Sequence, residues 1–174
     1  TIKHANNATL STNGNDLASS GTIGGIGTID LGGGLLTNSG TLRPGASPGT
    51  LNITGNLMMT GASVTNIEIQ APGTTPGTDF DVINVTGQVD FDGTLNVTHL
   101  GGFTPPADTN FTIFNYAAST GDFATKNFPL GYTYNTTINP TSYVLGVVSF
   151  QNIWTFPGSG QWDLAGNWSL GRIP

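Results

Sequence analysis

Ten carboxylates are the first candidates for chemistry, and among them only Asp79/Asp81 and Asp90/Asp92 stand as close pairs. Alternation along a strand would set the two acids of each pair on one face, roughly 7 Å apart. That spacing suits glycoside hydrolysis or a calcium ion, while the simpler reading is solvated strand ends. No Lys, Arg or His adjoins either pair, so catalysis is not expected and the four acids stand only as calcium candidates. His4 and His99 are far apart and cysteine is absent, which leaves no zinc set. Gly24-Gly25-Ile26-Gly27 is not followed by the Lys of a phosphate loop. The chain is expected to be no enzyme and to carry no cofactor.

Two further sets of side chains could bind or be modified. Trp154, Trp162 and Trp168 are the only three tryptophans and fall in one short, aliphatic-poor tail. They are expected to bury themselves together, as an aromatic cap or junction; the alternative is a platform on which a sugar stacks. Asn-x-Ser/Thr occurs at Asn7, Asn52, Asn84, Asn96, Asn110, Asn135 and Asn167, which makes these the glycosylation candidates. In Asn52-Ile-Thr, Asn84-Val-Thr and Asn96-Val-Thr the apolar residue would point inward, so Asn and Thr share the outer face. Side-chain ladders on that face are the competing explanation.

The elements that must position these residues are strands. Aliphatics alternate with Asn and Thr in 81–86 and 93–98, the period-2 pattern of a half-buried strand. Further strands are expected at 110–116, 133–139 and 142–149, and no stretch holds a helical period for three turns. Gly-Thr followed by Ile or Leu recurs at Gly21, Gly27, Gly40, Gly49 and Gly93. A glycine-punctuated strand used repeatedly suggests a solenoid, each rung burying its apolar side on the next. Ile23, Ile29, Leu31, Leu42, Leu51, Ile53, Leu57, Val82, Ile83, Val85, Leu95 and Val97 are the expected core. Three regions separate: glycine-rich rungs over 1–61, longer strands over 62–150, and the Trp-rich segment 151–174.

Composition agrees with a scaffold. Glycine, at 26 of 174 residues, is about twice its average usage, and charged residues make up only 8%. The net charge is −6, and the four basic residues Lys3, Arg43, Lys126 and Arg172 are scattered, so nucleic acid is not an expected partner. No apolar run approaches the length of a membrane span. Neither terminus reads as a natural end, so targeting and anchoring segments are expected outside this stretch.

Pro44, Gly45, Pro48 and Gly49 build a corner between two Thr-rich strands. The run from Gly40 to Thr60, with Leu-Arg-Pro-Gly-Ala-Ser-Pro-Gly-Thr-Leu-Asn-Ile-Thr-Gly at its centre, resembles the passenger repeats of bacterial autotransporter-type adhesins and related giant repetitive surface proteins. Asn66-Ile67-Glu68-Ile69, the strand from Asp79 to Gly87 and the Gly-Thr-Leu at Gly93 continue the likeness, and the tail resembles the module boundary of such proteins. The resemblance implies an all-β fold, a right-handed parallel β-helix (β-solenoid) leading into a β-roll or sandwich-like segment. It implies a secreted, cell-surface structural module, a stalk, fibre or adhesin repeat that assembles end to end. Its partners would be other copies of itself, adjacent modules of the same chain, or host or matrix glycans. A carbohydrate-binding module using the Trp tail is the alternative, and a polysaccharide-active β-helix enzyme a more distant one. The strand 142–150 is expected to leave an open edge that leads into the Trp segment, with the three tryptophans at a junction.

Overall fold

A computed structural model describes residues 2–45, 47–150 and 152–168, with the backbone alone for 2–7, 149 and 150. The fold is all-β. The strands are β1 (Ile2–Ser11), β2 (Leu17–Ser19), β3 (Thr22–Asn38), β4 (Thr41–Pro44), β5 (Thr50–Met59), β6 (Val64–Ile69) and β7 (Val82–Val85). There follow β8 (Gln88–Phe91), β9 (Thr94–His99), β10 (Asn110–Asn115), β11 (Ala118–Gly121), β12 (Thr125–Asn127), β13 (Tyr132–Asn139) and β14 (Ser142–Phe150). A single 3-10 turn, Ala165–Asn167, is the one helical element among the described residues. All fourteen strands belong to one sheet, which runs without a break across the turn at Thr60–Ala62.

Through β12 the ladders are parallel and advance in one direction. Thr22 pairs with Thr41, Thr41 with Val64, Val64 with Thr94, and Thr94 with Thr125. A second column runs Leu17, Leu36, Leu57, Val89, Ser119, and a third Thr9, Thr28, Asn52, Asn84, Asn115. The stretch that carries the Gly-Thr-Ile repeats at Gly21 and Gly27 forms one long bent strand, β3. Its register shifts between Asp30 and Leu35, where Gly32 and Gly33 take positive φ and turn the strand. The same freedom is required at Gly45: a Cβ there would sit 2.2 Å from backbone atoms of Gly49.

The pleat decides the core. Along β5 burial alternates without a break, with Leu51, Ile53, Leu57 and Met59 inside. All twelve expected core residues are buried. Toward the C-terminus the filling changes from aliphatic to aromatic: Phe91 packs against Phe114 and Tyr143 at 5.1 Å, Phe123 at 5.3 Å and Tyr116 at 5.6 Å.

The end of the sheet departs from a wholly parallel arrangement. β14 runs antiparallel to both β10 and β13, so the sheet is mixed. The cause is local. Only Pro140 and Thr141 separate the paired Asn139 and Ser142, and a two-residue connection can join antiparallel strands alone. The expected open edge at 142–150 is therefore corrected, since β14 has a partner on each side and β13 is the outer strand.

Val85 is 4% exposed within this core. Val85→Asp is expected to lower stability by several kcal/mol, because it buries a carboxylate with no partner. Urea denaturation checks it; an unchanged midpoint would show the faces to be inverted.

Candidate functional site

Because parallel partners stack directly, like side chains on the outer face meet. Asn115 Nδ2 donates to Asn84 Oδ1 at 2.9 Å, and Asn84 Nδ2 donates to Asn52 Oδ1 at 2.9 Å. A second column has Asn127 Nδ2 donating to Asn96 Oδ1 at 2.8 Å and Asn96 Nδ2 to Asn66 Oδ1 at 2.9 Å. Every amide points the same way, donating to the earlier rung. An amide can do this because it carries both donor and acceptor; a hydroxyl or carboxylate column would lack the reach or the proton.

These ladders sort the glycosylation candidates. Asn52, Asn84 and Asn96 are half-buried and already use their side-chain nitrogens as donors. Asn167 is buried and donates to the Gln161 carbonyl at 2.7 Å, while Ser169 of its motif lies outside the described residues. The side chain of Asn7 lies outside them too. Asn110 and Asn135 are exposed.

Each of the four paired acids is engaged by its own surroundings. Asp79 Oδ2 accepts from the backbone N–H groups of Thr74 (3.0 Å) and Thr75 (2.9 Å) and from the Thr74 hydroxyl. Asp81 turns to a different part of the molecule, accepting from Gly49 N–H at 2.7 Å and Glu68 N–H at 2.9 Å. Both precede β7, so strand alternation does not set their geometry as expected. Asp90 accepts from Gln88 Nε2 at 2.6 Å and from the Thr120 hydroxyl, and Asp92 from Gly93 N–H at 2.7 Å. Among the described residues no group of three or more His, Cys, Asp or Glu is placed to hold a metal ion.

Asp81 fastens the Pro-Gly corner to β6. Burial pushes its carboxyl up to about 7, against the pull of the two backbone donors. Beside it Glu68 takes a 2.5 Å hydrogen bond from the Ser47 hydroxyl and lies 3.5 Å from the Arg43 guanidinium. Sequence reasoning missed this clamp, since its members are separated by long stretches of chain. The one local signal was an Asp opening an otherwise apolar strand.

His99 meets the Tyr134 hydroxyl at 2.6 Å and the Tyr132 ring edge-on at 4.5 Å, and burial pushes its pKa down to about 4. The side chain of His4 lies outside the described residues. The tail corrects the expectation of three tryptophans packed together. Trp154 and Trp168 meet perpendicular at 5.3 Å, but Trp162 is 72% exposed. The Trp168 indole N–H bonds the backbone carbonyl of Trp162 at 2.6 Å, so Trp162 joins the knot through its backbone and its ring faces solvent. Arg172, Ile173 and Pro174 lie outside the described residues. No family model matches the chain, and no curated protein matches it.

Two outcomes follow from this geometry. Asn84→Ala removes one accepted and one donated ladder bond, Asn115→Ala one donated bond. Expected losses are about 1–2 kcal/mol for Asn84→Ala and about half that for Asn115→Ala; equal losses by urea denaturation would deny the ladder a role. Asp81 holds its proton more tightly folded than unfolded, so its contribution is full below pH 3.8 and is lost as pH rises toward about 7. His99 is the reverse: its contribution is present above pH 6.5 and is lost as pH falls toward about 4. The stability of Asp81→Asn relative to wild type is expected to rise with pH across 4–7, and that of His99→Gln to fall across 4–6.5. Parallel pH profiles for the three proteins would contradict both assignments.

Proposed function

We propose that the chain is a noncatalytic, extracellular structural module of a bacterial cell-surface protein, a stalk, fibre or adhesin passenger repeat. Its parallel part is read as a right-handed β-helix that the antiparallel hairpin β13–β14 turns into a β-roll-like end. The observation that carries this reading is the pair of asparagine ladders riding on columns of parallel partners. Such ladders reinforce a stack along its axis and offer no reactive group. The likeness of the Leu42–Leu51 corner and the Trp tail to autotransporter-type adhesin repeats supports the same role. Association with adjacent modules or other copies would use β1, the first strand of the stack, which pairs with β3. The tail, with Phe156, Trp162 and Leu164 exposed, would lie at the junction.

Tandem copies imaged by electron microscopy test this. Length is expected to grow in proportion to copy number, as stacked rungs of about 4.8 Å require. Separate beads joined by slack linkers, or turnover of a polysaccharide by the chain, would overturn it. A second reading rests on the exposed Trp162 ring beside Gln161 and Asp163, a surface on which a glycan could stack. Trp162→Ala would then abolish glycan binding.

A further inference from the structure

The outer face of the terminal hairpin holds a slot that neither the stalk role nor the tail accounts for. In one row across three strands, Asn110 of β10 pairs with Gly146 of β14, and Gly146 with Asn135 of β13. In the next row Val144 stands between Thr112 and Thr137. Residues directly opposite one another share a face, so Gly146 lies between Asn110 and Asn135, whose backbones are two strand spacings, about 10 Å, apart. Leu145 and Val147 point into the core on either side of it. Beside the glycine lies a cavity of about 280 Å³ lined by Asp108, Asn110, Asn135, Thr137, Gly146 and Val148. Asn110 leans over the glycine: a Cβ at position 146 would lie 2.9 Å from Asn110 Oδ1.

We propose that this slot binds a single neutral sugar ring, the end or a branch of a glycan. Amide and hydroxyl walls both donate and accept, as sugar hydroxyls do. Val148, 43% exposed, supplies an apolar contact for the C–H face of the ring. No Lys or Arg lines the slot, so an acidic sugar or a phosphate finds no counter-charge, and Asp108 opposes it. The volume lies at or below the lower end of the ~300–1,000 Å³ of drug-sized sites, which fits one ring and not an extended ligand. This site is independent of the stalk role and distinct from the Trp tail.

The test uses protein made in a bacterial host without N-glycosylation, because Asn110 and Asn135 both stand in sequons and must keep bare amides. An array of neutral hexose and N-acetylhexosamine oligosaccharides is screened, and the best member is titrated by NMR. Binding at millimolar or better Kd is expected. Asn135→Ala, at an exposed position, should weaken it about tenfold, the equivalent of one lost hydrogen bond. Gly146→Val should abolish it, and Trp162→Ala should leave it unchanged, with the circular dichroism of every variant that of the wild type. The proposal is overturned if no array member binds at millimolar concentration. It is equally overturned if acidic saccharides bind better than neutral ones, or if Asn135→Ala binds as wild type. Loss of binding in Trp162→Ala alone would move the site to the tail.

Discussion

Direct stacking of parallel partners is the constraint from which the rest of this structure follows. Neighbouring parallel strands lie about 4.8 Å apart, and each residue sits beneath its counterpart in the next rung. A side chain that suits one level must therefore tolerate a near copy of itself at the next. Inside, this favours branched aliphatics, as in the column Ile29, Ile53, Val85. Outside, it favours groups that are self-complementary, and the carboxamide is the side chain that both donates and accepts along a single axis. The two asparagine columns are the outer counterpart of the aliphatic core.

A stack built this way has to be turned at its corners and stopped at its end, and the two tasks use different chemistry. At the Pro44–Gly49 corner, strand pairing lapses and backbone N–H groups need other acceptors. The buried Asp81 carboxylate supplies them, accepting from Gly49 and Glu68 together. At the C-terminal end the problem is apolar surface that no further rung covers. There the aliphatic filling gives way to the rings of Phe91, Phe114, Phe123 and Tyr143, and the chain reverses through β13–β14. Tyr143 spans both jobs, with its ring in the aromatic core and its hydroxyl donating 2.8 Å to Asp122, which also pairs with Lys126. That shared donor pair holds the Asp122 carboxyl below its usual range despite the opposing effect of burial.

What was legible in the sequence follows the same division. The inward aliphatics and outward Asn and Thr were readable because period-2 alternation is local: Leu51-Asn52-Ile53 and Val85 announce their faces without knowledge of any neighbour. The candidate ladder was readable only as a possibility of that face, since the pairing of Asn52 with Asn84 depends on rung length. The Asp81 clamp was not readable, because Gly49 and Glu68 come to it through folding across distant stretches of chain. Nor was the Gly146 slot, where one glycine in a valine-rich strand matters only because Asn110 and Asn135 flank it on different strands. The exposure of Trp162 was hidden for another reason: a backbone carbonyl, invisible in the residue type, holds the partner indole.

The scarcity of charge follows from stacking as well. Two like charges one rung apart, at about 4.8 Å, repel by about 1 to 3 kcal/mol for an effective dielectric between that of water and that of a protein surface. A charged column would incur that cost at every level, and alternating signs would require opposite residues at equivalent positions of successive rungs. The outer columns here avoid both. Thr22, Thr41, Thr94 and Thr125 share one column, with Val64 interrupting it, and amides follow one another in two others, Asn52–Asn84–Asn115 and Asn66–Asn96–Asn127. Arg43 fits the rule, since its parallel partner in β3 is Gly24, which carries no side chain. It is left to reach Glu68 across the corner. A charged fraction of 8% thus suits a parallel ladder, in which like charges one rung apart repel.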